Sequence, residues 1–224
     1  MLLLGACADI PDDGPPRYVV LPADTFYSIA WRHNLDFRDL ARWNNIGSDF
    51  HISVGQVLVL GPGGTPAARS TKPAAGPSTR PQAAKNNGWV ARARAGTASG
   101  TPIVTGKWTW PTDRQGTPRE TAGGGILLTG RLGQDVLAAS AGRVVYTGSG
   151  LRGYGNLIII KHADSLLSAY GHNREMLVHE GQDVALGQLI GHMGQGNDQS
   201  AVLYFEIRQN GKPVDPLPYL NFVR

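Results

Sequence analysis

Cysteine is almost absent from this chain of 224 residues, since Cys7 is the only one. A single thiol excludes an internal disulfide and any metal cluster built on cysteine ligands. Long apolar runs are also missing, because no stretch beyond the first few residues approaches the roughly 20 apolar residues that a membrane-spanning helix requires. Glycine and proline are plentiful instead, with 30 and 15 residues, which indicates β-turns and linkers.

Acidic residues are missing from one long segment, residues 61–107, which contains seven basic residues and no Asp or Glu. Pro, Gly, Ala, Ser and Thr dominate there and apolar periodicity vanishes, so we predict a disordered, basic linker. Nucleic acid is a poor explanation of this charge, because no folded basic face or aromatic interleaving accompanies it. A flexible coil of this length would span roughly 35–40 Å. We therefore expect two domains, 17–60 and 108–224, that act at different places.

The start of the chain combines a short apolar run with the only cysteine. Residues 4–7 read Leu-Gly-Ala-Cys, which is similar to a bacterial lipobox, where a signal peptidase cuts before a cysteine that then receives lipid. The basic segment and the full apolar segment of such a signal are missing, so either the true start lies upstream or the similarity is chance. We predict that 1–16 is a truncated lipoprotein signal and tether, with lipidation at Cys7.

Residues 17–60 show the pattern of a small α+β domain. A strand at 18–20 is followed by an N-capped helix that starts near Asp24, a second helix at 37–43, and a turn and strand over 53–60. This βααβ order and its residues resemble a LysM domain, a small module that binds peptidoglycan or chitin. The resemblance implies a shallow glycan-binding groove. The residues that would line it are Asp24, Thr25, Phe26, Asn44, Asn45 and Ile46, although a core role is the stronger expectation for Phe26.

The last half of the chain is predicted to be mainly β. Runs rich in β-branched and aliphatic residues alternate with turns at Gly181, Gly187 and Gly194. The expected strands are 136–139, 142–146, 157–160 and 186–190, with a closing hairpin near 211–216. We therefore predict an antiparallel β-sandwich or barrel-like domain, which makes the whole chain mainly β with one small α+β module.

Three short sequence motifs in this domain follow one another in the order found in a known protein family: residues 150–156, residues 170–172 and residues 203–208. They resemble the lysostaphin-like, or LytM-type, zinc metallopeptidases that cut peptidoglycan cross-bridges. Within that family, the catalytically degenerate NlpD and EnvC group, which activates cell-wall amidases, matches best. Residues 108–111 also resemble the family's Trp-Pro entry strand.

The zinc ligands of active family members have no counterpart here. Those members use a His-x-x-x-Asp pair, which falls on Gly123 and Leu127, and the second His of a His-x-His string, which falls on Val202 and Tyr204. Glycine and leucine cannot bind metal, and a phenol is a poor zinc ligand beside an imidazole. Only His172 matches, at a position that assists the water in active members. The resemblance therefore implies a non-enzyme with no metal and no cofactor.

Without a metal, the former cleft becomes a candidate groove for a protein partner. Tyr204 and Arg208 should share one face of a strand with Glu206, because side chains alternate with period two. Tyrosine and arginine are frequent binding hot spots, so truncating either residue is expected to weaken partner binding and leave the fold intact. His172 is either part of the groove or a hydrogen-bonded remnant. The expected groove residues are Tyr154, Leu157, Tyr170, His172, Tyr204 and Arg208.

The two resemblances together imply a function in the cell envelope. We expect a non-catalytic protein that binds peptidoglycan and activates a periplasmic N-acetylmuramyl-L-alanine amidase during septal wall splitting. Its expected location is the periplasm of a Gram-negative bacterium, with a lipid anchor in the outer membrane. Two alternatives stay open: a zinc endopeptidase of peptidoglycan, and a passive scaffold that only binds the wall.

Overall fold

A computed structural model describes residues 14–63, 106–113, 115–163 and 165–220 of the chain. The predicted lipidation site Cys7 and most of the predicted linker lie outside these residues, so both stay predictions, as do the domain boundaries. None of the helices in the described part is long and apolar enough to cross a membrane.

The N-terminal domain has the predicted βααβ order. Its elements are β1 (Arg17–Val19), α1 (Phe26–Arg32), α2 (Phe37–Trp43) and β2 (Val57–Val59), and β1 pairs antiparallel with β2. Both helices begin at side-chain caps: Thr25 forms a capping box with Ser28, and Asp36 accepts from the backbone N–H of Arg38. Such caps satisfy amide groups that the first helical turn leaves without partners.

The C-terminal domain is an antiparallel β-sheet of ten strands followed by one helical turn. The strands and the turn are β3 (Arg119–Glu120), β4 (Ile126–Thr129), β5 (Asp135–Leu137), β6 (Gly142–Gly148), β7 (Asn156–Lys161), β8 (Leu166–Met176), β9 (Asp183–Val184), β10 (Leu189–Gln195), β11 (Ala201–Gln209), β12 (Lys212–Val214) and α3 (Leu217–Leu220). The order across the sheet is β3-β4-β11-β10-β8-β7-β6-β9; β11 also pairs with β8 and β12, and β10 with β5. The mainly-β prediction is confirmed.

The two faces of this sheet pack against different parts of the chain. One face, here called the inner face, carries side chains such as Ile158 and Phe205, which form a core with Trp108 and Tyr219 of the same domain. The opposite, outer face carries Leu157 and other apolar side chains that join one cluster with the core of the N-terminal domain. Within the described residues, the two predicted domains therefore share an apolar cluster.

Three predicted strands differ from the structure. The strand predicted at 136–139 is β5, which ends at Leu137. Residues 108–111 lie beside β5 without being a strand: the N–H of Thr109 donates to Ala139 O, and the N–H of Leu137 donates to Pro111 O. Pro111 has no N–H, so a regular ladder cannot continue through it. The strand predicted at 186–190 begins only at Leu189, because Gly187 has φ of +74° in a tight turn.

A buried chain of polar groups crosses the core beneath the inner face. His162 Nδ1 donates to Ala141 O over 2.8 Å, and Nε2 lies 2.7 Å from Ser168 Oγ. Ser168 Oγ and Tyr170 Oη are hydrogen-bonded over 2.9 Å, and the N–H of Ala139 donates to Tyr170 Oη. Burial lowers the pKa of His162 to about 4, so the imidazole is neutral in the native state at neutral pH.

This lowered pKa predicts acid sensitivity. In the unfolded chain a histidine takes up a proton near pH 6.5, whereas folded His162 resists protonation until about pH 4. The unfolded state thus binds more protons between these values, and stability falls as the pH is lowered, by about 3 kcal/mol in total. Urea unfolding of the chain and of His162→Gln between pH 4 and 8 measures the difference. If the stability of both proteins depended on pH in the same way, the lowered pKa of His162 would be contradicted, because the variant cannot titrate at this position.

Candidate partner-binding site

Three side chains on the outer face of β11 form a continuous hydrogen-bonded row. Tyr204 Oη donates to Glu206 Oε2 over 2.5 Å, and Arg208 Nε donates to Glu206 Oε1 over 2.6 Å. The predicted common face of these residues is confirmed by this geometry. All three are buried, and the Glu206 side chain is 0% exposed, so its carboxylate depends on these two donors for compensation.

The positions that correspond to zinc ligands lie around the Tyr204 phenol. Leu127 pairs with Tyr204 across β4 and β11, and a Cβ on Gly123 would stand 3.7 Å from the Tyr204 hydroxyl. At Gly125 a Cβ would meet that hydroxyl at 2.6 Å and Phe205 O at 2.9 Å, so only glycine leaves room for the ring there. The phenol therefore fills the end of the former cleft.

This environment does not fit a zinc ion. Burial, followed by the charge of Glu206 and the hydrogen bond to it, raises the pKa of Tyr204 well above its ordinary value, so the phenol stays protonated and donates rather than coordinates. Gly123 and Leu127 supply no ligand atoms. Among the described residues, no group of three or more His, Cys, Asp or Glu side chains could hold a metal ion.

A row of rings leads from the former cleft to the N-terminal domain. The ring centroids of His172 and Tyr204 are 6.3 Å apart, those of Tyr204 and Tyr154 are 5.2 Å apart, and those of Tyr154 and Trp31 are 6.4 Å apart. His172 has φ of +58° and its N–H donates to Tyr154 O over 2.7 Å. His172 and Tyr154 are partly exposed, and burial lowers the pKa of His172. These two side chains and the edge of Tyr204 are the accessible part of the predicted groove.

Two predicted groove residues are placed elsewhere, which corrects the sequence-based assignment. Tyr170 lies on the inner face, fully buried, with its ring 5.3 Å from that of Phe205. Leu157 does lie on the outer face but is 0% exposed, because the N-terminal domain covers it. Neither residue can touch a partner while the chain has this structure.

Arg208 is also covered, and its partner is Trp31 of α1. The guanidinium carbon lies 3.6 Å from the centroid of the Trp31 ring, and Nη1 donates to Trp31 O over 2.7 Å. The sequence analysis missed this contact. A signal existed in the sequence of α1, where every residue from Phe26 to Trp31 except Ser28 is apolar or aromatic: a helix that is apolar on nearly every side needs a second packing surface.

Most of the predicted glycan-binding residues have structural roles. Asp24 accepts from Tyr18 Oη, the N–H of Leu21 and Arg32. Phe26 is 2% exposed and stacks on Phe50 at 5.5 Å, as the core alternative predicted.

The remaining candidates, at the end of α2 and in the loop after it, differ in how exposed their side chains are. Asn44 is buried: its amide donates to Leu40 O and Val59 O and accepts from the N–H of Val59. Ile46 is half-buried against the core, whereas Asn45 is exposed. Asn45 is therefore the candidate whose side chain is available to a ligand, together with the partly exposed Thr25.

Comparison with known proteins gives two domain matches in this chain. Residues 18–61 match the model of the LysM domain, and residues 121–216 match that of peptidase family M23. The second match lies inside the predicted domain 108–224, and the first ends one residue beyond the predicted domain 17–60. The row of Tyr204, Glu206 and Arg208 lies within the second match.

Whole-chain relatives extend these matches. A lipoprotein NlpD/LppB homolog from Pseudomonas aeruginosa is 43% identical over 240 residues, which cover 91% of this chain and 76% of the relative. The murein hydrolase activator NlpD of Escherichia coli is 39% identical, over 91% of this chain and 67% of its own length. The uncharacterized lipoprotein YgeR of Escherichia coli is also 39% identical, over 91% of this chain and 80% of its own length.

Proposed function

Because the chain belongs to the NlpD family of murein hydrolase activators, we propose that it binds peptidoglycan and activates a periplasmic N-acetylmuramyl-L-alanine amidase. In this proposal the chain does not hydrolyse the wall itself. The N-terminal domain supplies the attachment to peptidoglycan, and the C-terminal domain supplies the contact with the amidase. Relatives named as lipoproteins support a lipid anchor at Cys7 and a position at the outer membrane, facing the periplasm.

The observation that carries this proposal is that the positions of the zinc ligands hold residues that do not bind zinc. The Tyr204 hydroxyl is committed to Glu206, and the neighbouring ligand positions hold Gly123 and Leu127. A cleft that keeps the peptidase architecture and its aromatic lining, but offers no ligand set for zinc, can bind a polypeptide and cannot activate water through a metal.

The other two candidate functions require different features of the C-terminal domain. A zinc endopeptidase would need ligands that Gly123, Leu127 and Tyr204 do not provide. A passive scaffold would need no partly exposed groove, yet His172 and Tyr154 keep an aromatic edge accessible beside the cleft. Activation acts as a population shift, in which the chain binds the open amidase more tightly than the closed one.

Dye release from labelled sacculi tests the proposal. Each zinc-dependent N-acetylmuramyl-L-alanine amidase of the same organism is purified and assayed with and without the full chain. We expect one of them to be stimulated, and we expect the chain alone to release no dye. His172→Asn, in which the new residue tolerates a positive φ, should weaken the stimulation about tenfold, in keeping with a residue of a binding hot spot.

His179→Asn provides the matched control, because His179 is an exposed histidine away from the cleft. It should stimulate as the unmodified chain does. Zinc-dependent dye release by the chain alone would establish the endopeptidase alternative. Failure to stimulate any of the amidases, with normal retention on sacculi, would establish the passive scaffold.

A further inference from the structure

The outer face of the C-terminal sheet already has an occupant, which is the N-terminal domain of the same chain. Six apolar or aromatic side chains of this face, and Leu151 in the loop between β6 and β7, join the core of that domain in one cluster; the six are Val145, Tyr146, Leu157, Ile159, Leu167 and Ala169. Apolar surface of this kind drives association because its burial removes it from water. Besides this apolar contact, three polar or steric contacts fix the position of the N-terminal domain.

The first contact lies next to the predicted groove. Arg208 stacks on the Trp31 ring and donates to Trp31 O, one of the last carbonyl groups of α1. Carbonyl groups at the C-terminal end of a helix carry partial negative charge, so a guanidinium there is favoured. The adjoining ring of Tyr154, which belongs to the groove, contacts Trp31 as well.

The second contact is at the opposite end of β7. The ammonium group of Lys161 lies 5.9, 5.3 and 5.4 Å from the ring centroids of Tyr27, Phe37 and Phe50 in the N-terminal domain. Burial lowers the pKa of Lys161. A cation shared by three rings of the other domain holds the two domains together at a point remote from the groove.

The third contact is a close approach of two backbones. Gly211, at the tip of the hairpin between β11 and β12, is buried against the loop between α1 and α2. A Cβ at this position would lie 2.3 Å from the carbonyl carbon of Leu35 and 2.4 Å from the N of Asp36. Any side chain larger than hydrogen would push the N-terminal domain away.

We propose that the N-terminal domain and the amidase compete for the outer face around Tyr154 and Arg208, so that the chain by itself is closed and must release its own domain before it can bind the amidase. The segment of the amidase that takes the place of Trp31 presents the same chemistry to Arg208: an aromatic side chain near the C-terminal end of a helix, with a carbonyl oxygen of that last turn beside it. This inference rests on the proposed function, which supplies the amidase.

Gly211→Ala tests the competition from the side of the hairpin. The added methyl group should displace the N-terminal domain and so raise the radius of gyration measured by small-angle X-ray scattering. Binding to the stimulated amidase should tighten about tenfold, because a larger fraction of the molecules is competent to bind. Gly187→Ala is the matched control: its φ of +74° is close to the +76° of Gly211, but nothing lies within 4 Å of the new Cβ. It shares the backbone strain and should change neither quantity.

Lys161→Met gives a second route to the open chain, should Gly211→Ala fail to fold. Methionine keeps the apolar stem and removes the cation from the three rings, so the radius of gyration and the amidase affinity should rise together. Lys212→Met, at an exposed lysine of β12, is its control.

The outcomes separate this inference from the proposed function. If the opening variants expand while the affinity of a stimulated amidase is unchanged, the competition is refuted and the proposed function stands. If neither variant expands, the contacts do not hold the domain and the inference is again refuted. If the variants expand but no amidase is bound or stimulated by any form of the chain, the proposed function fails and takes the inference with it.

Discussion

Replacing Arg208 with alanine is expected to lower the free energy of unfolding by about 3–5 kcal/mol, the usual cost of removing one partner of a buried ion pair. The guanidinium of Arg208 is one of two donors to the Glu206 carboxylate, and both side chains are almost completely inaccessible to solvent, at 4% and 0% exposed. After the substitution, Tyr204 alone would compensate a buried charge. Urea unfolding at neutral pH measures the loss.

Two further variants make this result specific. Glu206→Gln combined with Arg208→Met removes both charges and should recover much of the stability, since the cost arises from the charge left unpaired and not from the missing contact. Arg42→Ala breaks an exposed pair with Asp39 and should change the stability by less than about 0.5 kcal/mol. Equal effects of Arg208→Ala and Arg42→Ala would contradict the buried charge.

This expectation revises how Arg208 can be used as a probe of function. The sequence-based prediction was that its truncation would leave the fold intact, but the structure places Arg208 in a buried network and under Trp31. Loss of amidase stimulation in Arg208→Ala would therefore mix three effects: lost stability, release of the N-terminal domain and lost partner contact. His172→Asn, at a partly exposed position, separates the last of these.

Replacing Asn44 with alanine is expected to destabilise the N-terminal domain by about 3 kcal/mol. The side chain makes three hydrogen bonds to the backbone, and their removal leaves the buried N–H and C=O of Val59 and the carbonyl of Leu40 with fewer partners. Each net hydrogen bond contributes about 1 kcal/mol, and a buried group left unsatisfied costs more. Thermal unfolding followed by circular dichroism measures the effect.

Asn45→Gly is the matched comparison, because the neighbouring amide is exposed and glycine tolerates the φ of +51° at this position. It should leave the unfolding midpoint within about a degree or two and, as the accessible glycan candidate, should reduce retention on insoluble peptidoglycan. Asn44→Ala should lose retention only at temperatures where its domain unfolds. Retention lost by folded Asn44→Ala and kept by Asn45→Gly would reverse these two roles.

The parts of the fold that depend on local sequence could be predicted. The βααβ order follows from capping residues such as Thr25 and Asp36 and from apolar spacing, and the common face of Tyr204, Glu206 and Arg208 follows from strand periodicity. These signals arise from residues close together in the chain, so the sequence displays them directly.

Tyr170 shows where periodicity is not sufficient. Residues 170 and 172 on β8 should share a face, and the sequence prediction placed both in the groove. In the structure Tyr170 points to the inner face, while the positive φ of His172 brings its ring to Tyr204 on the outer face. A non-glycine residue with positive φ breaks the alternation, and no neighbouring residue type announces it.

The contact between the domains could not be predicted at all. Trp31 and Arg208 are 177 positions apart, and a tryptophan at the end of a helix serves equally well in the core of its own domain. Only the nearly continuous apolar sequence of α1, from Phe26 to Trp31, indicated a second packing surface. Long-range packing of this kind depends on the shapes of two assembled domains, which local patterns do not contain.

The attachment of the N-terminal domain to the outer face has a consequence for how tightly that contact must hold. Since both surfaces belong to one chain, each experiences the other at an effective concentration in the millimolar range. An interface with a dissociation constant of about 0.1 mM, too weak to pair separate molecules at cellular abundance, would still be occupied more than nine-tenths of the time. A soluble competitor present at micromolar levels must therefore bind the exposed face far more tightly than the resident domain does. Weakness of the internal contact is then an advantage, because it lets such a competitor succeed at all.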